Sequence, residues 1–226
     1  MTWLRKWAEP GAGRYKMKHK IIVAGIGPGN EAYIVPKALQ AIKSAKVLVG
    51  GRRALAQFAN AGQETMAVTA DIKGVMAFMA SQLTEHDVVV VVSGDPGYYS
   101  LLDALRREFP PESLQVIPGI SAMQYAFASL ALPWHDAQWV SFHGRVPAAD
   151  AINYAPGKIM GMLTDGKYNS HTIPELLLKN GWPADTSLYI CSRLSYPDEE
   201  IVTTTLGNAG TIAVQGHCIL VVKARN

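Results

Sequence analysis

The residues able to do chemistry lie in short runs, each following an apolar stretch. Ser93-Gly94-Asp95-Pro96-Gly97-Tyr98-Tyr99-Ser100 follows five consecutive valines. Two glycines and a proline force a tight turn there and leave main-chain amides uncovered, a surface that can hold a small ligand. Asp95 is the acid closest to this turn, and it either caps the turn through its own backbone or contacts the ligand. Tyr98 and Tyr99 either wall a planar ligand or pack. Three more loops have the same setting: Pro118 to Ala122, His143-Gly144-Arg145 and Thr164-Asp165-Gly166. His143 is a structural histidine or a base. The chain has no Gly-x-Ser-x-Gly elbow for serine hydrolysis and no pair of His or Cys at zinc-ligand spacing, so neither chemistry is indicated.

Elements must exist to position these loops. Five consecutive valines, Val88 to Val92, are too many for a strand with one wet face, so the run predicts a strand buried on both sides of a mostly parallel sheet. In such sheets ligands bind beyond the carboxyl ends of the strands. Lys20 to Ala24 predicts a first strand that runs into Gly25-Ile26-Gly27-Pro28-Gly29-Asn30. The third glycine there comes too early for a dinucleotide fingerprint, and Pro28 removes an amide that would face a pyrophosphate. Where a ribose-binding acid would stand, the next strand, Lys46 to Val49, ends in Gly50-Gly51-Arg52-Arg53. The first turn is therefore read as a pocket wall.

Helices are predicted at 36–45, where Pro36 opens and Leu39 and Ile42 share a face, and over Ile72 to Leu83, whose methionines are read as core filler. A weak strand at 65–68, a helix with Leu101, Leu102, Leu105 and Phe109 inward, a strand at 114–117 and a small-residue helix opened by Ser121 complete an alternating α/β half. Beyond Leu132-Pro133-Trp134 the pattern changes. Strands are predicted at 138–142, 158–163, 187–192, 200–205 and 218–224, with a helix at 174–179. Three parts are expected: a disordered, dispensable arm over 1–18, an N-terminal α/β domain with a parallel sheet over 19–132, and a C-terminal α/β domain with a mixed sheet over 133–226, the cleft between the domains being the natural site.

Composition narrows the function. The formal charge is +3, but residues 1–20 hold six Lys or Arg and one Glu, which leaves −2 for the remainder. A basic face for nucleic acid is not indicated, and an anionic ligand must be met by individually placed arginines. No apolar run is long enough to cross a membrane and no signal peptide is present, so a cytoplasmic location is expected. Cys191 and Cys218 sit in apolar strand-like runs and are expected as buried free thiols.

Six motifs occur together and in order: GIGPGN at 25–30, VGGRR at 49–53, SGDPGYYS at 93–100, VIPGISAMQYAFASLALPW at 116–134, SFHGR at 141–145 and TDG at 164–166. On this set, over residues 19–226, the chain resembles the tetrapyrrole methylases, and within them the carbon 5 methyltransferases of corrin synthesis. The resemblance implies a two-domain α/β class III methyltransferase, a homodimer, with S-adenosylmethionine folded in the interdomain cleft. Carried across by position, cofactor contacts fall on Pro28, Gly94, Asp95, Tyr98, Ser121, Ala122 and, from the second domain, Leu163. Asn30 stands where the family commonly has Asp, and Val35 where Thr is frequent. Arg52, Arg53 and Arg145 are expected to pair with carboxylates of the macrocycle, with His143 as a possible proton acceptor.

No protein-bound metal is expected, since any cobalt would be held by the substrate's own nitrogens. The alternatives are another methylase of this fold, acting on uroporphyrinogen, diphthamide precursors or ribosomal RNA, or a non-catalytic ligand-binding module. Every strand, glycine-rich turn and helix is used for one cleft, so one methyl transfer without decarboxylation is expected, the carbon 15 methylation and decarboxylation falling to a separate partner protein.

Overall fold

The computed structural model describes residues 18–214, 216 and 218–225. The expected arm, apart from Lys18, lies outside the described residues. Strands β1 (Ile21–Gly25), β2 (Val47–Gly50), β3 (Glu64–Ala67), β4 (Val88–Val92) and β5 (Leu114–Ile117) form a parallel sheet in the order β3-β2-β4-β1-β5. The valine strand lies at its centre, as the unbroken apolar run requires.

Because strand side chains alternate, the five valines serve two cores. Val88, Val90 and Val92 join Val75, Met76 and Met79 of α3 (Ile72–Gln82) and Leu105 of α4 (Leu102–Glu108). Val89 and Val91 join Ala38 and Ile42 of α1 (Pro36–Ser44) and Phe58 of α2 (Arg52–Phe58). The methionines are core residues, as expected. At its start α3 is fixed by Asp71, whose side chain accepts the Gly74 amide at 3.0 Å; α1 has Pro36 at its first position but no side-chain cap, because Val35 has no oxygen to offer. Arg52 and Arg53, which follow the second strand, are the first two residues of α2, a helix not predicted from the sequence. Gly51 leaves the strand in extended conformation and the helix begins at once.

The second sheet comprises β6 (Gln138–Ser141), β7 (Ile159–Leu163), β8 (Ser187–Ser192), β9 (Glu200–Thr205) and β10 (Cys218–Lys223), in the order β6-β7-β10-β8-β9. Only β6 and β7 pair in parallel; the other pairings are antiparallel, so the sheet is mixed, as expected. Phe142, Met160, Met162, Trp182, and Ile173 and Leu177 of α7 (Thr172–Lys179) fill its core. A short helix α6 (Ala149–Ile152) also contributes, through Ile152.

The chain divides into two compact units between Ser121 and Ala122. This corrects the boundary expected after residue 132, which left α5 (Ala122–Ser129) with the first sheet. In fact α5 packs on β7 and β10. Gly161 makes room for it: a Cβ there would overlap the Met123 sulfur and lie 2.9 Å from the Phe127 ring. Cys191 and Cys218 are buried free thiols on the adjacent strands β8 and β10, as expected. Burial, with a smaller contribution from Cys218, pushes the Cys191 thiol up to about 12.

Candidate active site

At one point in the first sheet neighbouring strands send their helices to opposite faces. After β1 the chain enters α1 on one face; after β4 it enters α4 on the other. The carboxyl ends of these two adjacent strands therefore open a crevice, the usual ligand position in a doubly wound sheet.

Main-chain hydrogen bonds lace the loops at this crevice together. The Ile26 amide donates to Val92 O at 2.9 Å, the Gly94 amide to Gly27 O at 2.8 Å, and the Gly27 amide to Gly94 O at 3.3 Å. Gly27 and Gly94 have φ of +73° and +68°, a backbone region that glycine enters without penalty. Asp95 adds the third loop: its Oδ1 accepts the Gly97 amide at 2.8 Å, and its Oδ2 accepts the Gly119 amide, beyond β5, at 3.0 Å. Gly25 lies at the junction, where a Cβ would sit 2.6 Å from Gly94 O and 2.8 Å from both Gly119 N and Pro96 Cδ. Asp95 thus has the turn-capping role among its two expected ones, and it also holds a neighbouring loop. Gly25 and Gly119 were not singled out as site residues; the only signal for them in the sequence was glycine at the end of a strand.

Around this junction Pro28 is half-buried and Ser121 is buried. Asn30 accepts the Ala32 amide at 2.9 Å through its side chain, so the amide that stands in for Asp still caps the turn. Tyr98 is half-buried, and burial, then its neighbour Tyr99, pushes its hydroxyl above the usual range. Its ring meets that of Tyr99 edge-on at 4.9 Å, and Tyr99 is exposed. Arg52 and Arg53 are exposed on α2, directly after β2, the neighbour of β4, and so belong to the same end of the sheet. Two cations in the first turn gain nothing from the helix dipole.

In the second unit β6, β7 and β8 run in one direction, so the loops after them share one edge. Leu163 ends β7 and its carbonyl accepts the Phe142 amide at 3.0 Å. Thr164 ties this end to β10, its hydroxyl donating to Cys218 O at 2.7 Å and accepting the Cys218 amide at 3.0 Å. Asp165 then joins two loops: Oδ2 accepts the Gly144 amide at 2.6 Å, while Oδ1 accepts Tyr168 N at 2.6 Å and Lys167 N at 2.8 Å. The Tyr168 and Gly144 amides in particular hold its carboxyl below the usual range, with smaller help from His143. His143 and Arg145 are exposed on either side of Gly144. No hydrogen bond among the described residues orients the His143 ring, so nothing in its surroundings marks it as a base.

The third loop at this edge was not anticipated. In it Arg193 Nε donates to Asp198 at 2.9 Å and the guanidinium lies 4.7 Å from the centre of the Tyr196 ring. Ala122, which opens α5, also belongs to the second unit. The structure thus gathers the loops of Pro28, Gly94, Asp95, Tyr98 and Ser121, with Arg52 and Arg53, on the first sheet, and places Ala122, His143, Arg145 and Leu163 in the second unit.

The first-sheet loops 25–30, 93–100 and 118–121 contain no Lys or Arg. The amides of Gly27, Gly94, Gly97 and Gly119 are engaged within the protein rather than uncovered as expected, and loops without a cation suit a neutral or cationic nucleoside better than a pyrophosphate. Among the described residues no helix is long and apolar enough to cross a membrane, and no three His, Cys, Asp or Glu cluster as metal ligands would.

The family model of the Tetrapyrrole (Corrin/Porphyrin) Methylases matches residues 20–210. The cobalt-precorrin-7 C(5)-methyltransferase of Salmonella typhimurium is 34% identical over 161 residues, which cover 71% of this chain and 79% of the relative. Among solved structures, the uroporphyrin-III C-methyltransferase of Thermus thermophilus complexed with S-adenosyl homocysteine superposes with a TM-score of 0.70 at 22% identity, covering 90% of this chain and 92% of its own. The precorrin-6Y methylase of Archaeoglobus fulgidus gives 0.69 at 21%, covering 92% and 99%. These two likenesses establish the α/β fold with its two sheets.

Proposed function

We propose that this chain, which belongs to the tetrapyrrole (corrin/porphyrin) methylases, is an S-adenosylmethionine-dependent methyltransferase acting on carbon 5 of a corrin precursor, cobalt-precorrin-7 or its cobalt-free counterpart. The choice of carbon follows the activity of the Salmonella relative. One observation carries the reaction class: the crevice between β1 and β4 is lined by laced main chain, with no cation and no activated nucleophile in its loops. S-adenosylmethionine supplies an electrophilic methyl group, and an electron-rich macrocycle supplies the attacking carbon.

The protein's part is to bind, orient and exclude water. Main-chain groups around Pro28, Gly94 and Asp95, with Tyr98 and Ser121, hold the nucleoside; the absence of lysine and arginine in these loops favours a sulfonium over a phosphate. Arg52, Arg53 and Arg145 meet the macrocycle's carboxylates, where a guanidinium can pair bidentately. Positioning alone can contribute roughly 7 to 11 kcal/mol at the favourable limit, and a dry site favours loss of the sulfonium charge. The same reading assigns the chain one methyl transfer without decarboxylation, as a cytoplasmic homodimer, with carbon 15 chemistry on a separate protein.

The test is mass spectrometry of cobalt-precorrin-7 incubated with the protein and labelled S-adenosylmethionine. The expected product carries one labelled methyl at carbon 5. Label at another carbon, or on uroporphyrinogen alone, reassigns the substrate; cofactor binding without S-adenosylhomocysteine formation on any candidate makes the chain a binding module.

A further inference from the structure

Resting on the reading of Arg145 as a substrate-binding residue, we infer that Asp165 is a positioning residue for substrate recognition, its ionised carboxylate fixing the His143-Gly144-Arg145 loop in the form that meets the macrocycle. The loop has little else to hold it. His143, Gly144, Arg145 and Val146 are all exposed, so packing does not set their backbone. Gly144 has φ of +76°, and a Cβ there would have no atom within 4 Å. Its left-handed conformation is therefore not imposed by crowding. The loop's other bonds are long, Arg145 N to Phe142 O at 3.4 Å and His143 N to Ser141 Oγ at 3.3 Å, whereas Gly144 N to Asp165 Oδ2 is 2.6 Å.

The other oxygen of Asp165 is fully engaged by Tyr168 N and Lys167 N, which anchors the carboxylate to its own loop. Asp165 is thus fixed on one side and grips Gly144 with the other. A preformed loop spares the cost of ordering Arg145 when an anion binds. All three partners are donors, so an amide side chain in place of the carboxylate would turn an NH2 group towards one of them. The charged or titratable groups around it are His143 and Arg145 from the gripped loop and Lys167 and Tyr168 from its own.

The experiment compares wild type with Asp165→Asn, Asp165→Glu, Gly144→Ala, Arg145→Gln and the Asp165→Asn/Arg145→Gln double variant. Affinity is read twice: as KM for cobalt-precorrin-7, and as Kd for uroporphyrin III, a fluorescent polycarboxylate macrocycle that needs no turnover. Asp165→Asn should raise both by about tenfold, the scale of one charge-assisted hydrogen bond, leaving kcat and S-adenosylhomocysteine affinity near wild type. Asp165→Glu should recover part of the loss. Gly144→Ala, which disturbs only the loop backbone, should resemble Asp165→Asn, and the double variant should be no worse than Arg145→Gln alone. Hydrogen exchange over residues 143–146 should quicken in Asp165→Asn.

Unchanged KM and Kd in Asp165→Asn overturn the inference even if methyl transfer proceeds normally. A fall in cofactor affinity as large as the fall in porphyrin affinity overturns it too, since that marks general structural damage. Absence of methyl transfer in the wild type, with porphyrin binding still weakened by Asp165→Asn, overturns the proposed reaction and upholds the role of Asp165.

Discussion

Asp95 and Gly119 stand 24 positions apart, and the Asp95 carboxylate accepts the Gly119 amide at 3.0 Å while also capping its own turn at Gly97. One side chain therefore sets the spacing of the loops after β4 and β5. Asp95→Ala should weaken S-adenosylhomocysteine binding by about tenfold or more, measured by calorimetry, since two hydrogen bonds to a charged group are lost. Gly94→Val should do the same through its backbone, because a β-branched residue resists the φ of +68°. Unchanged affinity in a folded Gly94→Val protein would remove the cofactor from this junction.

Gly25 and Gly119 touch the same carbonyl, that of Gly94, and a Cβ on either would overlap it or Pro96. Backbone atoms cannot step aside as a flexible side chain can. Gly119→Ala is expected to lower the melting temperature and abolish cofactor binding together, whereas Gly210→Ala, with no atom within 4 Å of its Cβ, should do neither. Circular dichroism melts of the pair check this.

Substitution of Arg52, Arg53 or Arg145 by Gln should raise the KM for the macrocycle and flatten its dependence on salt, with little change in cofactor affinity. Wild-type kinetics in all three variants would dismiss these arginines as the carboxylate partners.

Asp165 also predicts a pH dependence of stability. Its folded-state pKa is depressed, first by the Tyr168 and Gly144 amides, so its contribution is fully present above the ordinary Asp value of about 3.9. It is lost as pH falls through the folded-state value. The melting-temperature gap between wild type and Asp165→Asn should be constant from neutral pH to about pH 5 and shrink in stronger acid. A gap that widens on acidification would contradict the assignment.

Cys191 and Cys218 should resist iodoacetamide at pH 8 in the native protein and react once it is unfolded, because burial raises both thiols and the thiolate is the reactive form. Mass spectrometry of alkylated protein, with and without guanidinium, reads this out. Labelling at native pH 8 would show that the β8–β10 pair opens locally.

The sequence alone determined the parts of this protein that depend on local pattern. Val88 to Val92 could only be a strand buried on both faces, and alternation along it distributes its side chains between two cores. The glycine-rich turns, the mixed character of the second sheet and the burial of both thiols were legible for the same reason: each follows from residue type and spacing within a few positions. Tertiary structure decided whatever depends on partners distant in the chain. Helix α5 reads as a continuation of the first half, yet it belongs to the second because Gly161, some 40 residues on, leaves space for Met123 and Phe127. No helix was predicted after Gly50-Gly51, yet helix α2 starts at Arg52 and packs Phe58 into the core. In sequence Asp95 reads as a turn cap or a ligand contact, and Asp165 only as part of a loop after a strand. Only the fold brings Gly119 to one and Gly144 to the other, because strands adjacent in a sheet need not be adjacent in sequence.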